Sequence, residues 1–292
     1  MKRILLILFV FSLKPFVFGQ SLSLDLKKEC ATTLPANYGK WRNTVIQNNV
    51  STLKHNICVN KKFSIVFYVI ADTNGNNPVS AGTLGACINA LNNAFAPICV
   101  TFMNCSTVVI PHHPFNRWTS DTIDPICRAM YNTANTINIY MPDSIVGPPA
   151  GYSPMPGGPT ANGIVIEKNS IVGSVTIHEM GHFFGLPHTW DEIGGAAVPP
   201  PPPGVGSQEF VRRTNCYTNG DGFCDTEADC YPVDRVITAP CQHQFGAKDG
   251  YLDYYTPPVD NYMTYFKCGC RFTQEQRNFM ANTALTQLMS LH

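Results

Sequence analysis

The sequence has no surplus of either charge: 20 lysines and arginines balance 20 aspartates and glutamates over 292 residues. It also lacks any run of basic residues, so non-specific binding to nucleic acid or to an anionic membrane surface has no electrostatic footing. No apolar stretch approaches the roughly 18 residues needed to span a bilayer, which leaves no candidate transmembrane segment in the mature chain. Paired CxxC motifs at finger-like spacing are missing too, and this disfavours a structural zinc held by thiolates. No internal repeat is visible.

What is present begins with export. MKRILLILFVFSLKPFVFGQ opens with Lys2 and Arg3, continues through an apolar run from Ile4 to Leu13, and reaches Gly19 before Gln20. That layout predicts a signal peptide over residues 1–19 and a secreted, extracellular product. All 12 cysteines follow it, an even number that in an exported chain points to disulfides. Cys216, Cys224, Cys230, Cys241, Cys268 and Cys270 read as staples on the C-terminal third. Asn49 and Asn104 head N-glycosylation sequons, relevant where the source glycosylates exported proteins.

Residues 20–60 are polar, without a sustained apolar period, and form a leader or pro-segment containing Cys30 and Cys58. The character changes at residue 61. FSIVFYVIA, Phe63 to Ala71, is nearly continuously apolar and β-branched, as suits a strand buried on both faces. Leu84, Cys87, Ile88, Leu91 and Phe95 recur at helical spacing and predict an amphipathic helix over 81–96. Further strands are predicted at 98–103, 136–141 and 163–167, with a Gly/Pro-rich loop before the last. This order gives an α/β (α+β) class with a mixed sheet. A catalytic domain over 61–292 divides into an upper part to about 190 and a disulfide-rich lower part over about 207–292. The stiff loop between them carries Pro199 to Pro203. At the end, Thr273 and Gln276 form a capping-box pair before a helix whose stripe is Met280, Ala284 and Leu288.

The chemistry concentrates in HEMGHFFGLPH, His178 to His188. On a helix His178 and His182 share one face, so their imidazoles can share one metal ion. Gly185 permits a sharp left-handed turn, Pro187 stops the helix resuming, and His188 returns as a third ligand. Three neutral imidazoles leave a zinc ion positively charged with one open position for water. Zinc acidifies such a water and polarises a neighbouring carbonyl, and Glu179 is placed to accept the proton and pass it to a leaving amine. The pattern points to metal-assisted peptide hydrolysis.

His178, Glu179, His182, Gly185 and His188, as HExxHxxGxxH, resemble the metzincin clan of zinc endopeptidases. NYMTY, Asn261 to Tyr265, resembles the methionine turn of that clan, with Met263 as the turn methionine. Tyr265, two residues on, resembles the tyrosine of astacins, serralysins and pappalysins. The strings HEMGHFFGLPHTW, GDGFCDTEADC and NYMTYFKCGCRFTQEQ resemble the pappalysin (cytophagalysin) branch, peptidase family M43, although Glu227 stands where proline is usual. The resemblance covers roughly residues 61–292. It implies a metzincin-type zincin domain: a mixed twisted sheet with a backing helix, an active-site helix, and an irregular lower subdomain closed by a C-terminal helix. It further implies oxyanion stabilisation by Tyr265 and extended polypeptide substrates paired along a rim strand near AGYSPMP. A structural calcium near Asp221 and Asp225 is implied as well, though an ordinary polar turn fits those residues equally. KKECATT, around Cys30, resembles pro-segments whose thiolate caps the metal as a latency device. Counting favours a Cys30 to Cys58 bridge instead, because a latency role would strand Cys58. Two alternatives stay open beside a secreted zinc endopeptidase: a secreted binding module with an idle zinc site, and a zinc hydrolase of a non-peptide bond.

Overall fold

A computed structural model describes residues 30–47, 57–147, 149–156, 163–193, 209–230, 236–239, 241–244, 246–266 and 268–291. The segment predicted as a signal peptide, Asn49 and the Pro199–Pro203 stretch lie outside these residues. In chain order the helices are α1 (Tyr38–Gln47), α2 (Ala81–Phe95), α3 (Ile123–Met130), α4 (Ser174–Phe183) and α5 (Gln274–Thr286). The strands are β1 (Lys61–Ile70), β2 (Val100–Ile110), β3 (Arg117–Trp118), β4 (Ile137–Met141), β5 (Ser144–Ile145), β6 (Gly151–Tyr152), β7 (Gly163–Ile166), β8 (Val236–Ala239) and β9 (Gln242–Gln244).

Five strands form one sheet in the order β2-β1-β4-β7-β6, parallel except where β6 runs against β7. β1 is an interior strand, paired on both sides, and its side chains alternate between two cores. Phe63, Ile65, Phe67 and Val69 face a large core shared with α2, α4 and α5. Val66, Tyr68 and Ile70 face a second core with Trp118 and Cys127. Burial on both faces explains the unbroken apolar run, each large side chain contributing about 1.5–3 kcal/mol. Ser80 caps α2 by accepting from Thr83 N–H, and α2 then buries Leu84, Cys87, Leu91 and Phe95 against the sheet. β2 runs to Ile110 rather than ending near residue 103, because it pairs with β1 along its whole length. Its outer residues, including Asn104, are exposed, so the polar NCS string does not interrupt it.

Two corrections concern the leader and the cysteines. The leader carries α1, whose Tyr38, Trp41, Arg42 and Val45 sit at helical spacing against the body of the protein. The Cys30 to Cys58 bridge favoured by counting does not form: Cys58 bonds Cys99, and Cys30 is a buried thiol. The other bonds are Cys216–Cys224 and Cys241–Cys268. Cys87 and Cys127 are buried thiols, while Cys105 and Cys270 are exposed ones. An even count is satisfied by any pairing, including none.

Candidate metal centre

α4 presents His178 and His182 on one face, and the chain then turns back through a Schellman-type end. Gly185 N–H donates to His182 O (2.8 Å) and Leu186 N–H donates to Gly181 O (2.9 Å). Gly185 holds φ +92°, a conformation that costs other residues about 1–2 kcal/mol. The turn swings His188 round so that His182 Nε2 lies 3.1 Å from His178 Nε2 and 3.2 Å from His188 Nε2.

Each imidazole is oriented from behind. His178 Nδ1 donates to Tyr262 O (2.6 Å) and His182 Nδ1 to Leu186 O (2.7 Å). His188 Nδ1 meets Asp191 Oδ2 (3.0 Å), whose oxygen also accepts the His188 N–H (2.8 Å). Carbonyl oxygens only accept, so Nδ1 carries the proton in His178 and His182, and Nε2 presents a lone pair. Burial, followed by the charge of His188, lowers the pKa of His178 to about 3 against the Tyr262 hydrogen bond. Burial followed by the neighbouring histidines holds His182 well below the usual histidine range. Neutral lone pairs converging this closely are repulsive unless a cation lies between them. Tetrahedral zinc, with Zn–N of about 2.0–2.1 Å, sets nitrogens about 3.3 Å apart, and the spacing fits.

Cys30 brings a fourth potential donor to the group. Its sulfur and one nitrogen from each histidine lie within 4.8 Å of one another, and among the described residues this is the one such group of three or more potential ligands. The leader reaches it by lying parallel to the rim strand: Cys30 bridges Gly151, and Ala31 N–H donates to Gly151 O (3.1 Å). Thr32 continues the pairing, exchanging hydrogen bonds with the Ser153 backbone (2.9 and 3.2 Å). Glu179 is fully buried beside the group. Its Oε2 accepts from Thr32 Oγ1 (3.3 Å) and the Cys30 thiol (3.4 Å). Burial first, then Glu179, holds that thiol well above the usual cysteine range before any metal is considered.

The floor is Met263, fully buried beneath α4. A Cβ at Gly181 would collide with its sulfur, so the second variable position of HExxH is restricted to glycine here. Asn261 Oδ1 accepts the Met263 N–H (2.8 Å), and Asn261 Nδ2 donates to Gln276 Oε1 (2.9 Å). Gln276 is the partner of Thr273 in the capping box of α5, so the turn is fastened to the last helix. Tyr265 packs against His188 (5.2 Å between ring centroids) and Trp190 (4.2 Å), and its hydroxyl donates to Cys30 O (2.8 Å). Trp190 in turn stacks on His188 at 4.3 Å.

The structure thus gathers His178, Glu179, His182, His188, Cys30, Met263 and Tyr265 at one place. Asp221 and Asp225 do not meet. Asp221 is buried and accepts from Phe223 N–H (2.9 Å), whereas exposed Asp225 accepts the Glu275 N–H (2.8 Å) at the start of α5. Asp191, Trp190, Gly181 and the Tyr262 carbonyl were not singled out in the sequence. Of these, Asp191 carried a signal: an acid three residues past the last histidine.

No family model matches the chain. An extracellular metalloprotease of the fungus Arthroderma gypseum is 22% identical over 273 residues, covering 88% of this chain and 83% of that protein. Among solved structures, a mutant of Tannerella forsythia promirolysin superposes with a TM-score of 0.55 at 16% identity, covering 89% of this chain and 95% of that one. The metzincin fold is therefore shared nearly end to end.

Proposed function

We propose that the chain is a secreted endopeptidase made as a latent precursor, with Cys30 as the latency thiol. His178, His182 and His188 would hold zinc, and Cys30 would complete the set until the leader is cut. The observation that carries this reading is the placement of the Cys30 sulfur among three converged histidines, on a leader segment paired with the rim strand. Zinc, when bound, supplies Lewis-acid activation of water and of the substrate carbonyl. Glu179 takes the proton of the attacking water and passes it to the leaving amine; its burial beside the histidines supports that role. The Cys30 carbonyl stands in for a substrate carbonyl on Tyr265, which supports hydrogen bonding of the developing oxyanion by that hydroxyl. The leader's pairing with β6 supports an extended peptide as substrate over a small molecule.

Beside His178 lies a small recess lined by Ser174, Val175, Tyr262, Thr264 and Phe266. Among the described residues no charged side chain lines it, which favours a small uncharged residue next to the scissile bond. A structural calcium at Asp221 draws support from the burial of that carboxylate alone; Asp225 takes no part in it.

Casein hydrolysis by activated protein tests the reading. Glu179→Ala should lower the rate by at least about 10²–10⁴-fold with zinc still bound, and Cys30→Ala should make the uncut chain active. Chelator-insensitive hydrolysis, or an uncut Cys30→Ala chain as silent as wild type, defeats it.

A further inference from the structure

The leader is not uniform. Cys30 to Thr32 lie in the cleft as an extended strand, whereas α1 is built into the body of the protein. Tyr38 is buried, and its hydroxyl donates to the Gly185 carbonyl (2.7 Å). That carbonyl belongs to the turn that returns His188 to the metal. Trp41 lies across the same glycine and meets Phe279 of α5 edge-on at 5.8 Å. Val45 is buried in the large core together with β1, α2 and α4.

Arg42 makes the deepest contact. It is 2% exposed, lies over the Phe223 ring at 5.0 Å, and donates to the Gly222 carbonyl. Its charge also acts on buried Asp221, which neighbours buried Glu209. Three glycines make room for this docking. A Cβ at Gly185 would stand 2.7 Å from the Trp41 ring, one at Gly222 would strike Arg42, and one at Gly39 would strike the Ile193 carbonyl. The body of the protein is shaped to α1.

Between the two parts of the leader the chain surfaces. Thr33, Ala36 and Asn37 are exposed, while Thr32 and Tyr38 on either side are buried. We infer that maturation hydrolyses a peptide bond between Thr33 and Tyr38, so that the Cys30 strand leaves and α1 stays as a permanent part of the active enzyme, its Tyr38 and Arg42 acting as positioning residues. This rests on the latency reading of Cys30. One water is consumed: its hydroxyl completes the carboxylate of the departing segment, and its proton goes to the new amino terminus of the body. A cut after α1 would instead require Tyr38, Arg42 and Val45 to leave together. Gly185 O would lose its partner, Asp221 the buried Arg42 cation, and the core a buried side chain.

The test uses the full chain with a recognition sequence for a site-specific protease inserted either between Ala36 and Asn37 or among residues 48–56. Intact mass, gel filtration, thermal melting and casein hydrolysis are read after each cut. After the first cut the Cys30 fragment should dissociate, hydrolysis should appear, and the body, now starting near Asn37, should keep its melting temperature. After the second cut the fragment bearing α1 should stay bound and hydrolysis should remain below about one-tenth of the first; if that fragment is stripped away, the body should lose its melting transition. A second-cut product that has shed α1, yet melts and works like the first, overturns the inference. An uncut Cys30→Ala chain separates the two readings. If it is silent while the first cut still leaves α1 in a stable body, the latency role of Cys30 fails and the structural role of α1 stands.

Discussion

Replacing Gly185 with alanine tests how the metal turn is made. Two costs combine. At φ +92° an L residue pays about 1–2 kcal/mol for the left-handed backbone. Its Cβ also falls 2.7 Å from a Trp41 ring carbon and 3.2 Å from one of Phe279, both rigid aromatics, and overpacking of this kind costs about 1–3 kcal/mol. The sum, about 2–5 kcal/mol, corresponds to a fall in melting temperature of roughly 5–20 °C for a chain of this size. The turn also carries the Leu186 carbonyl that orients His182, so zinc affinity should weaken by about 10–100-fold. Differential scanning calorimetry and competition with a fluorescent zinc chelator read the two effects separately. Combining Gly185→Ala with Trp41→Ala in a double-mutant cycle should return the steric part, a coupling of about 1 kcal/mol or more, and leave the backbone part. A Gly185→Ala chain that melts and binds zinc like wild type refutes the account of the turn, and zero coupling to Trp41 refutes its steric half.

Asp191→Asn removes the carboxylate that holds His188 Nδ1 while keeping its shape, so zinc affinity should fall by about 10–100-fold with little change in the apo fold, as read by chelator competition and circular dichroism. Burial, ahead of the counteracting Phe223 amide and Arg42, raises Asp221 to about 8. Burial followed by Asp221 raises Glu209 to about 9. An acid whose folded pKa is raised binds its proton more tightly when folded, so its contribution is full below the unfolded value and is lost as pH rises through the folded one. In calcium-free buffer the melting temperature should therefore decline from about pH 5 to pH 9, and Asp221→Asn should flatten that slope; a slope unchanged by the substitution would show that the carboxylate is neutralised otherwise.

What could be read from the sequence followed from strict periodicity or spacing. β1 was visible because burial on both faces demands an unbroken apolar run, and the three histidines because a helix and one glycine determine where they meet. Met263 was placed by its order after the histidine string and before a capped helix. α1 is masked in the sequence because its buried residues are mixed in kind, an arginine among aromatics, although Tyr38, Trp41, Arg42 and Val45 keep the i, i+3, i+4, i+7 spacing. The Cys58–Cys99 bond could not be read, because parity constrains number and not distance. Asp221 and Asp225 look alike in a string four residues apart, yet a turn sends one inward and the other to the α5 terminus.

The large core runs without interruption from Phe63 on β1 through Leu91 and Met180 to Met263, Phe279 and Met280. The floor of the metal centre is therefore not a module that can loosen by itself. Amides of α4 and α5 should exchange with solvent only through the same global opening as those of β1. For variation over evolutionary time the floor is close to frozen, since a change tolerated by the metal must also be tolerated by the whole sheet. New preferences for substrate have to be written in the loops around the cleft, where a substitution alters the lining without loosening the domain.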